Sequence, residues 1–450
     1  MKVAIIYNKD MSGVINVFGM QNKEIYNPAT VKMVSDALES GGHNIEVIDG
    51  NMQVVEQLQS FMPKVIDGEH MGMVFNMAYG IQGESRYTHI PSMLEMLGIP
   101  YVGSNPSGHA LALDKVITKI ILQKNDIPTP DFWVFSSPDD DLKEVKYPVI
   151  VKPKMESVSF GLRVVNNEKD LRQAVDFIVS EFEQQALVEQ FIRGREFAVG
   201  LIGNNPVEAF PVLEIDLEND PDAIQTEADK RTTPRAKLCP AELPDEVAGH
   251  MQEISILAFK ALQLRDFSRV DIRMSEDGKV YILEINSMAS LGKTGSYVHS
   301  AKVAGYDYKA LVNKMLDVAV VRYFAHRISA HDLPQSRKGI PNHIRIRGFL
   351  RSRQDSLENF LQKVVNVNTH VRNVEGVNEF GNLVRKELSH LGFSFELVPH
   401  VEVGNLLYFS NSFDSEPDIL LLGSLDNRKK IAEHEYFNIR GQKLHGTGIW

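Results

Sequence analysis

The chain has 450 residues, of which 43% are apolar and 24% charged, and its formal net charge is −11. This length predicts about two to four domains; the ordinary composition excludes a disordered or collagen-like chain, and the acidic balance argues against a general binder of nucleic acid backbones. The single cysteine, Cys239, and the lack of an apolar run near the roughly 18 residues of a membrane span predict a reduced, cytoplasmic protein without a membrane segment.

Residues 1–110 alternate between strand-like and helix-like patterns. Apolar strands are predicted at Lys2–Tyr7, Ile45–Ile48 and Met73–Asn76. A helix that Pro28 opens is predicted through Leu38, and a second helix is predicted to end at Leu97. This alternation favours an α/β domain with a parallel sheet and flanking helices.

The next hundred residues are predicted to be mixed. One helix is predicted over 107–125, with an apolar side formed by Leu111, Val116, Ile120 and Ile121. Strands follow at Tyr147–Pro153, Ala186–Phe191 and Phe197–Ile202. Residues 215–235 are polar and are predicted to form a long surface loop, and residues 247–263 are predicted to form a helix.

The predicted hairpin over residues 268–286 gives the strongest indication of chemistry. Asp277-Gly278 is a favoured sequence for a two-residue type I′ turn, and that turn fixes which residues pair across the strands. It places four side chains on one face of the sheet: Arg269, Asp271, Glu284 and Asn286. Two carboxylates and an amide oxygen suit Mg²⁺ carrying a nucleotide phosphate. From these residues alone, a solvated face with ordinary cross-strand ion pairs is the alternative.

Other charged residues give weaker indications. Lys152 follows an apolar strand, and residues 154–161 contain one glycine in a segment that could form a loop over phosphates. Lys115 lies on a predicted helix, and Glu189 and Glu196 bracket a predicted turn. Taken alone, the loop with its single glycine is a weak indication, and Lys115, Glu189 and Glu196 are each more often ordinary surface charges.

In chain order, these segments resemble the ATP-grasp superfamily and, within it, D-alanine–D-alanine ligase and its relatives. The resemblance covers roughly residues 1–323. Its motifs are Val74-Phe75-Asn76, Gly98–Ser104, Leu113-Asp114-Lys115, Val151-Lys152-Pro153, Val188–Ile192 with Gly194-Arg195-Glu196, Cys239-Pro240-Ala241, Arg269-Val270-Asp271 and Leu283–Asn286. It implies an α/β ATP-grasp fold: a parallel-sheet domain at 1–110, and two α+β subdomains at 111–190 and 191–325 that clasp ATP.

The resemblance implies ATP-dependent joining of a carboxylate to an amine through an acyl phosphate. The implied ATP contacts are Lys115, Lys152, Ser159, Gly161, Glu189, Gln190, Phe191, Ile192, Glu196 and Leu283. Among them, Glu189 would bind the adenine amino group and Glu196 the ribose hydroxyls. The implied ligands of Mg²⁺, or of Mn²⁺ in its place, are Asp271, Glu284 and Asn286. Arg269 would stabilise the acyl phosphate, and Lys230 would contact the γ-phosphate.

The substrate positions depart from the family pattern. Asn8–Val14 lacks the glycine-rich stretch and its glutamate, Tyr79-Gly80 replaces His-Gly, Val158 replaces a serine, and Arg231 replaces a tyrosine. We therefore expect amino-acid-like substrates other than two D-alanines. The candidate substrate contacts are Arg86, Arg231 and Ser290. For the two arginines, a role as ordinary exposed side chains is an equal alternative.

Residues 326–352 are predicted to be a linker and residues 353–450 a partial α/β segment. Helices are predicted from Asp355 and around Val377–Leu391, and strands at Phe393–Val398 and Ile419–Leu422. The segment resembles the opening of the di-zinc aminoacylase and glutamate-carboxypeptidase family at Leu391-Gly392-Phe393, Leu420–Asp426 and Leu444–Gly448. Ser424 stands where that family has a histidine ligand, so no zinc is expected. The segment would pack on the ligase part or on a missing remainder.

Two other functions stay open at this point. One is a zinc peptidase within a longer gene product, against which Ser424 argues. The other is a protein that binds ATP without catalysis, against which the complete set of metal-ligand candidates argues. The expected partners are small molecules, and a homodimer is expected only by analogy with the family.

Overall fold

The computed structural model of the chain describes residues 1–10, 14–17, 22, 24–62, 72–156, 161–225, 229, 235–324, 354–389, 393–410, 430–440 and 443–445. Two compact units divide the chain, Met1–Ser352 and Arg353–Trp450. None of the helices in the described ranges combines the length and the apolar character needed to cross a bilayer. The predicted linker at 326–352 and the predicted strand Ile419–Leu422 lie outside the described residues.

The first sheet of the first unit is parallel, as predicted. Its strands are β1 (Lys2–Tyr7), β2 (Asn44–Asp49), β3 (Gly72–Asn76) and β4 (Tyr101–Val102), in the spatial order β2-β1-β3-β4. The helices α1 (Pro28–Ser40), α2 (Val54–Phe61) and α3 (His89–Leu97) lie between the strands in the chain. Phe75 and Val74, neighbours on β3, belong to different apolar clusters. Both faces of the sheet are therefore covered, as a parallel sheet requires.

The second sheet is antiparallel and small. Its strands are β5 (Phe132–Phe135), β6 (Val149–Pro153), β7 (Arg163–Val165) and β8 (Ala186–Gln190), in the order β5-β8-β6-β7. Helix α6 (Glu168–Phe182) packs against it, with Leu171 and Ile178 in the shared core. The side chain of Asn167 caps this helix by accepting a hydrogen bond from the backbone N–H of Asp170.

The third sheet is antiparallel and has six strands. They are β9 (Gly194–Gly203), β10 (Val207–Ala209), β11 (Leu213–Ile215), β12 (Lys237–Leu238), β13 (Phe267–Ser275) and β14 (Val280–Asn286). The order is β12-β11-β9-β13-β14, with β10 paired to β9. Helix α7 (Asp245–Ala261) confirms the helix predicted at 247–263, and its Phe259 packs with Ile272 and Ile282 in one core. Helices α8 (Ser296–Val303) and α9 (Tyr308–Phe324) follow.

The single helix predicted over 107–125 is wrong. Two helices, α4 (Pro106–Leu113) and α5 (Lys115–Lys124), meet at Asp114, whose carboxylate caps α5 by accepting from the N–H groups of Val116 and Ile117. The predicted apolar side is confirmed for Leu111 and Ile121, which pack against an apolar core, but is wrong for Ile120, which is 49% exposed. The buried side consists of Lys115, Thr118, Lys119 and Leu122. Leu122 lies in an apolar core while Lys115 and Lys119 are buried against carboxylates, so apolar and polar contacts together bury this side of α5.

The second unit contains α10 (Gln354–Val365), α11 (Val374–Ser389), β15 (Ser394–Val398), β16 (Leu406–Ser410), β17 (Asn438–Arg440) and β18 (Lys443–His445). Both predicted helices and the strand predicted at Phe393–Val398 are confirmed, although α11 begins three residues earlier than predicted. The strands pair as two antiparallel hairpins, β15 with β16 and β17 with β18.

Candidate active site

The β13–β14 hairpin brings the predicted metal ligands together. Arg269 pairs with Asn286, and Asp271 pairs with Glu284, which confirms the predicted register at these four positions. The predicted two-residue turn is wrong. The N–H of Ser275 donates to the carbonyl of Lys279 at 2.9 Å, so the loop holds three residues and ends at Gly278, whose φ is +84°.

A β-bulge in β14 compensates for the longer turn. Between Asp271 and Ile272 the pairing moves by one residue, because Ile272 pairs with Ile282. Leu283 is therefore the extra residue on β14. The bulge allows Leu283 and Glu284, which are neighbours in the chain, to line the same cleft. The extra loop residue and the extra residue in β14 shift the register in opposite directions, so the predicted pairs at Asp271 and Arg269 are kept.

Asp271 is held by two neighbours on the hairpin. Arg269 donates from Nε to Oδ1 at 2.6 Å and from Nη2 to Oδ2 at 2.7 Å, and Asn286 donates from Nδ2 to Oδ2 at 2.9 Å. Burial lowers the pKa of Arg269, but Asp271 outweighs this effect and raises that pKa above its ordinary value. The guanidinium is therefore a fixed positive charge beside the carboxylates.

The hairpin residues fit a hard divalent cation. Asp271 and Glu284 supply carboxylate oxygens, and the amide oxygen of Asn286 is not the atom that contacts Asp271. Within the described ranges, no group of three or more His, Cys, Asp or Glu side chains forms a metal-ligand cluster. Metal binding here would therefore rest on two carboxylates with the amide.

A cleft of about 810 Å³, its open mouth included, lies within the first unit. Predicted ATP contacts and metal ligands line it together: Lys115, Lys152, Glu189, Gln190, Phe191, Ile192, Glu196, Asp271, Leu283 and Glu284. They come from α5, from β6, β8 and β9, from the short segment between β8 and β9, and from the hairpin. The walls combine apolar and charged side chains, as the walls of small-molecule sites do.

The charges in the cleft are paired across elements. Lys152 Nζ lies 2.9 Å from Glu189 Oε2, and Lys115 Nζ lies 3.5 Å from Glu284 Oε2. Burial lowers the pKa of Lys115. Burial would raise the pKa of Glu189, but Lys119 and Lys152 together bring that pKa below its ordinary value. Glu189 is thus an anion although only 1% of it is exposed.

Two charged residues at the cleft were not predicted from the sequence, Arg273 and Lys119. Arg273 lines the cleft and places Nη1 3.2 Å from Glu196 Oε2, and Lys119 Nζ lies 3.0 Å from Glu189 Oε1. Strand alternation could have found Arg273, because it stands two residues after Asp271 on the same strand. Helical spacing could have found Lys119, because it stands four residues after Lys115.

Arg86 lies outside the cleft lining, in contact with a residue of the cleft. Its Nη1 donates to the carbonyl of Met155 at 3.1 Å, and its Nη2 lies 3.3 Å from Glu156 Oε2 and 3.9 Å from Glu24 Oε2. Arg86 is 3% exposed, which excludes the alternative that it is an ordinary exposed arginine. Its role in substrate binding stays a prediction. Neither Glu24 nor Glu156 was predicted from the sequence as its partner.

Tyr79 belongs to a buried tyrosine cluster. Its ring stacks on that of Tyr26 with centroids 4.9 Å apart, and the ring of Tyr87 lies 5.4 Å away. Burial raises the pKa of Tyr26 to about 12 and that of Tyr79 well above its ordinary value. Both phenols therefore keep their protons at neutral pH.

The remaining predicted residues lie elsewhere. Gly161 and Ser290 are described but are not among the residues that line the cleft, and Ser290 Oγ accepts from the N–H of Gly292 at 3.3 Å. Ser159, Lys230 and Arg231 lie outside the described residues, as does Ser424 of the second unit.

Comparison with known families supports the ligase-like part of the chain. The family model described as the D-Ala D-Ala ligase C-terminus matches residues 121–317. An uncharacterized protein of Sinorhizobium fredii, y4sG, is 40% identical over 334 residues, which are 73% of this chain and 99% of that protein. The D-alanine–D-alanine ligase of Aquifex aeolicus is 30% identical over 306 residues, which are 67% of this chain and 99% of that enzyme.

Solved structures share the fold. The D-alanine–D-alanine ligase of Bacillus anthracis, complexed with ATP, aligns with a TM-score of 0.55 and 21% identity over 72% of this chain and 98% of its own. The ligase of Coxiella burnetii aligns with a TM-score of 0.56 and 20% identity, over 72% of this chain and 94% of its own. The resemblance of residues 353–450 to zinc peptidases stays a prediction.

Proposed function

This chain belongs to the D-alanine–D-alanine ligase family of ATP-dependent, ATP-grasp ligases, and we propose that it joins the carboxylate of one amino-acid-like substrate to the amine of another through an acyl phosphate. The family uses ATP and a divalent metal ion. The product would be a dipeptide or a related amino-acid conjugate.

The observation that carries the proposal is the charge pattern of the cleft. Lys115 and Lys152 line the same cleft as the carboxylates of Asp271 and Glu284. Phosphoryl transfer depends on positioning and on neutralising charge more than on covalent chemistry by the protein. Two lysines for phosphates and two carboxylates for a divalent ion meet these needs.

The proposed reaction has two steps. A carboxylate oxygen of the first substrate attacks the γ-phosphorus of ATP, the bond to the bridging oxygen breaks, and ADP leaves. The amine of the second substrate then attacks the acyl carbon and loses a proton, and phosphate leaves as the carbon–oxygen bond breaks. Arg269, fixed beside Asp271, would stabilise the negative charge that develops in both steps. Asp271, Glu284 and Asn286 would hold the divalent ion, and its positive charge would offset the negative charge of the phosphates.

We further propose that the substrates are not two D-alanines. Tyr79 replaces a family histidine in a packed tyrosine cluster, which changes the shape and the hydrogen bonding available there. Arg86, between Glu24 and Glu156, adds a buried positive charge that the family pattern does not predict. Both features belong to the substrate positions of the resemblance rather than to its ATP positions.

The test is phosphate release from Mg-ATP with a panel of L- and D-amino acid pairs, with the products identified by mass spectrometry. We expect release that requires two substrates and a condensed product. Glu284→Ala should lower the rate by about 100-fold or more. Even the loss of a residue that only supports a metal ligand lowers metal affinity or activity by about 10- to 100-fold.

Glu276→Ala is the matched control, since Glu276 is an exposed carboxylate at the tip of the same hairpin. This variant should keep the wild-type rate. If the wild-type chain binds ATP but no pair produces phosphate or a condensed product, the proposal of ligation by this chain is wrong for the substrates in the panel. If Glu284→Ala keeps full activity, the proposed metal site is wrong.

A further inference from the structure

Lys119 is a fully buried lysine beside the nucleotide cleft. It lies on α5, has 0% of its surface exposed, and is not one of the residues that line the cleft. Its Nζ lies 3.0 Å from Glu189 Oε1 and donates to Thr129 Oγ1 at 2.8 Å. The hydroxyl of Thr129 in turn donates to the carbonyl of Ile282 on β14 at 2.8 Å. A chain of contacts therefore ties the ammonium group to both sides of the cleft.

Glu189 is held between two ammonium groups. Lys119 contacts Oε1 from behind the cleft wall, and Lys152, which lines the cleft, lies 2.9 Å from Oε2. A carboxylate offers about four lone-pair positions, so two lysines leave acceptor capacity for a donor in the cleft. The last side-chain torsion of a glutamate has a broad energy profile, so the contacts on its oxygens set the orientation of the carboxylate.

Loss of Lys119 would change Glu189 in two ways. The carboxylate would keep Lys152 as a cationic partner but lose the contact that fixes Oε1. Burial raises the pKa of Glu189, and Lys119 is the largest of the effects that oppose it. Without Lys119 the group would therefore turn more freely and be protonated more readily, and a protonated carboxyl is a poorer acceptor.

From these contacts we propose that Lys119 is a positioning residue, which holds Glu189 so that its carboxylate accepts a hydrogen bond from the 6-amino group of a purine nucleotide and thereby sets the preference of the cleft for adenine. The proposal rests on the proposed function, in which ATP occupies this cleft and Glu189 meets its base. It adds a residue that does not itself touch the nucleotide.

The experiment compares two nucleotides on the full chain by titration calorimetry: ATP, and purine riboside triphosphate, which lacks the 6-amino group. The wild-type chain should prefer ATP. In Lys119→Met the Kd for ATP should rise about tenfold, the usual cost of weakening a hydrogen bond to a charged group, while the Kd for purine riboside triphosphate changes little. A merely structural ion pair would shift both Kd values by the same factor.

Lys124→Met is the matched control, because Lys124 ends the same helix and is exposed. It should leave both Kd values unchanged. If Lys119→Met does not fold, Thr129→Val takes its place: it removes the second anchor of Lys119 and should reduce the preference for ATP in the same direction.

The outcomes separate this inference from the proposed function. If the wild-type chain does not bind ATP, both the proposed function and the role of Lys119 are wrong. If the wild-type chain prefers ATP and the folded variant, Lys119→Met or in its place Thr129→Val, keeps that preference in full, only the role of Lys119 is overturned. If the preference collapses in that variant and persists in Lys124→Met, the inference is supported.

Discussion

Lys115 and Lys119 stand one helical turn apart on α5, and folding removes both from solvent. Burial lowers the pKa of each, and it brings that of Lys119 to about 8. The charged groups that face Lys119 are Glu189 and Glu284, which raise its pKa, and Lys152, which lowers it. Because burial outweighs these partners, the ammonium of Lys119 is charged at pH 7 but loses its proton only slightly above that pH.

The binding of ATP should therefore weaken as pH rises through about 8. Below this pH Lys119 is charged and holds Glu189. Above this pH Lys119 is neutral and the ion pair is lost, so the affinity for ATP should fall as pH rises. Between pH 7 and pH 9 we expect the Kd for ATP to rise about tenfold, because at one pH unit above its pKa only about a tenth of the lysine stays protonated. Titration calorimetry across this range measures it. Lys119→Met should bind ATP weakly at both pH 7 and pH 9, so its Kd should depend less on pH. A wild-type Kd that does not change up to pH 9 would contradict the prediction.

At the scale of elements, Arg273 links β13 to the segment that follows β11. Its Nη2 donates to the carbonyls of Pro221 and Ala223 at 3.0 and 2.8 Å, and its Nη1 lies 3.2 Å from Glu196. The same segment continues to Ile224 and Gln225, which line the cleft. A 3% exposed arginine thus holds one wall of the nucleotide cleft through backbone carbonyls.

Replacement of this arginine should weaken nucleotide binding more than turnover. In Arg273→Met the carbonyls of Pro221 and Ala223 lose their donor, so the wall near Ile224 should loosen and the KM for ATP should rise about tenfold, as expected for lost hydrogen bonds to a charged group. Limited proteolysis should also cut near this segment sooner.

Arg193→Met is the control for this prediction. Arg193 pairs with Asp222 of the same segment at 2.8 Å, but both side chains are about half exposed, and such surface pairs contribute little. Its KM for ATP should stay near that of the wild-type chain. Equal effects in the two variants would show that Arg273 has no special part in the wall.

The same elements show what a sequence can and cannot predict. Alternation along β13 and β14 is a local property, so the pairing of Asp271 with Glu284 could be predicted although the turn and the bulge could not. The cap at Asp114 is a local feature, whereas the burial of Lys119 on α5 depends on a partner far along the chain, since Glu189 comes 70 residues after it. The contact of Arg86 with Glu156 likewise joins residues that no local pattern connects.

At the scale of the whole molecule, the described residues that line the cleft all come from the first unit. This unit, Met1–Ser352, has its own buried apolar clusters. The ligase of Aquifex aeolicus matches over 99% of its length with only 67% of this chain. That relative thus has a whole ligase within the stretch of sequence that the two proteins share.

A variant that ends at Ser352 should therefore keep the Kd of the full chain for ATP and its release of phosphate. The reason is that it retains every side chain of the cleft together with the cores that position them. Calorimetry with ATP and the phosphate assay measure both properties on the two proteins side by side. The same shortened chain with Glu284→Ala serves as the negative control and should bind and turn over as poorly as the full-length variant. A shortened chain that folds, as judged by circular dichroism, but fails to bind ATP would show that the second unit takes part in forming the site.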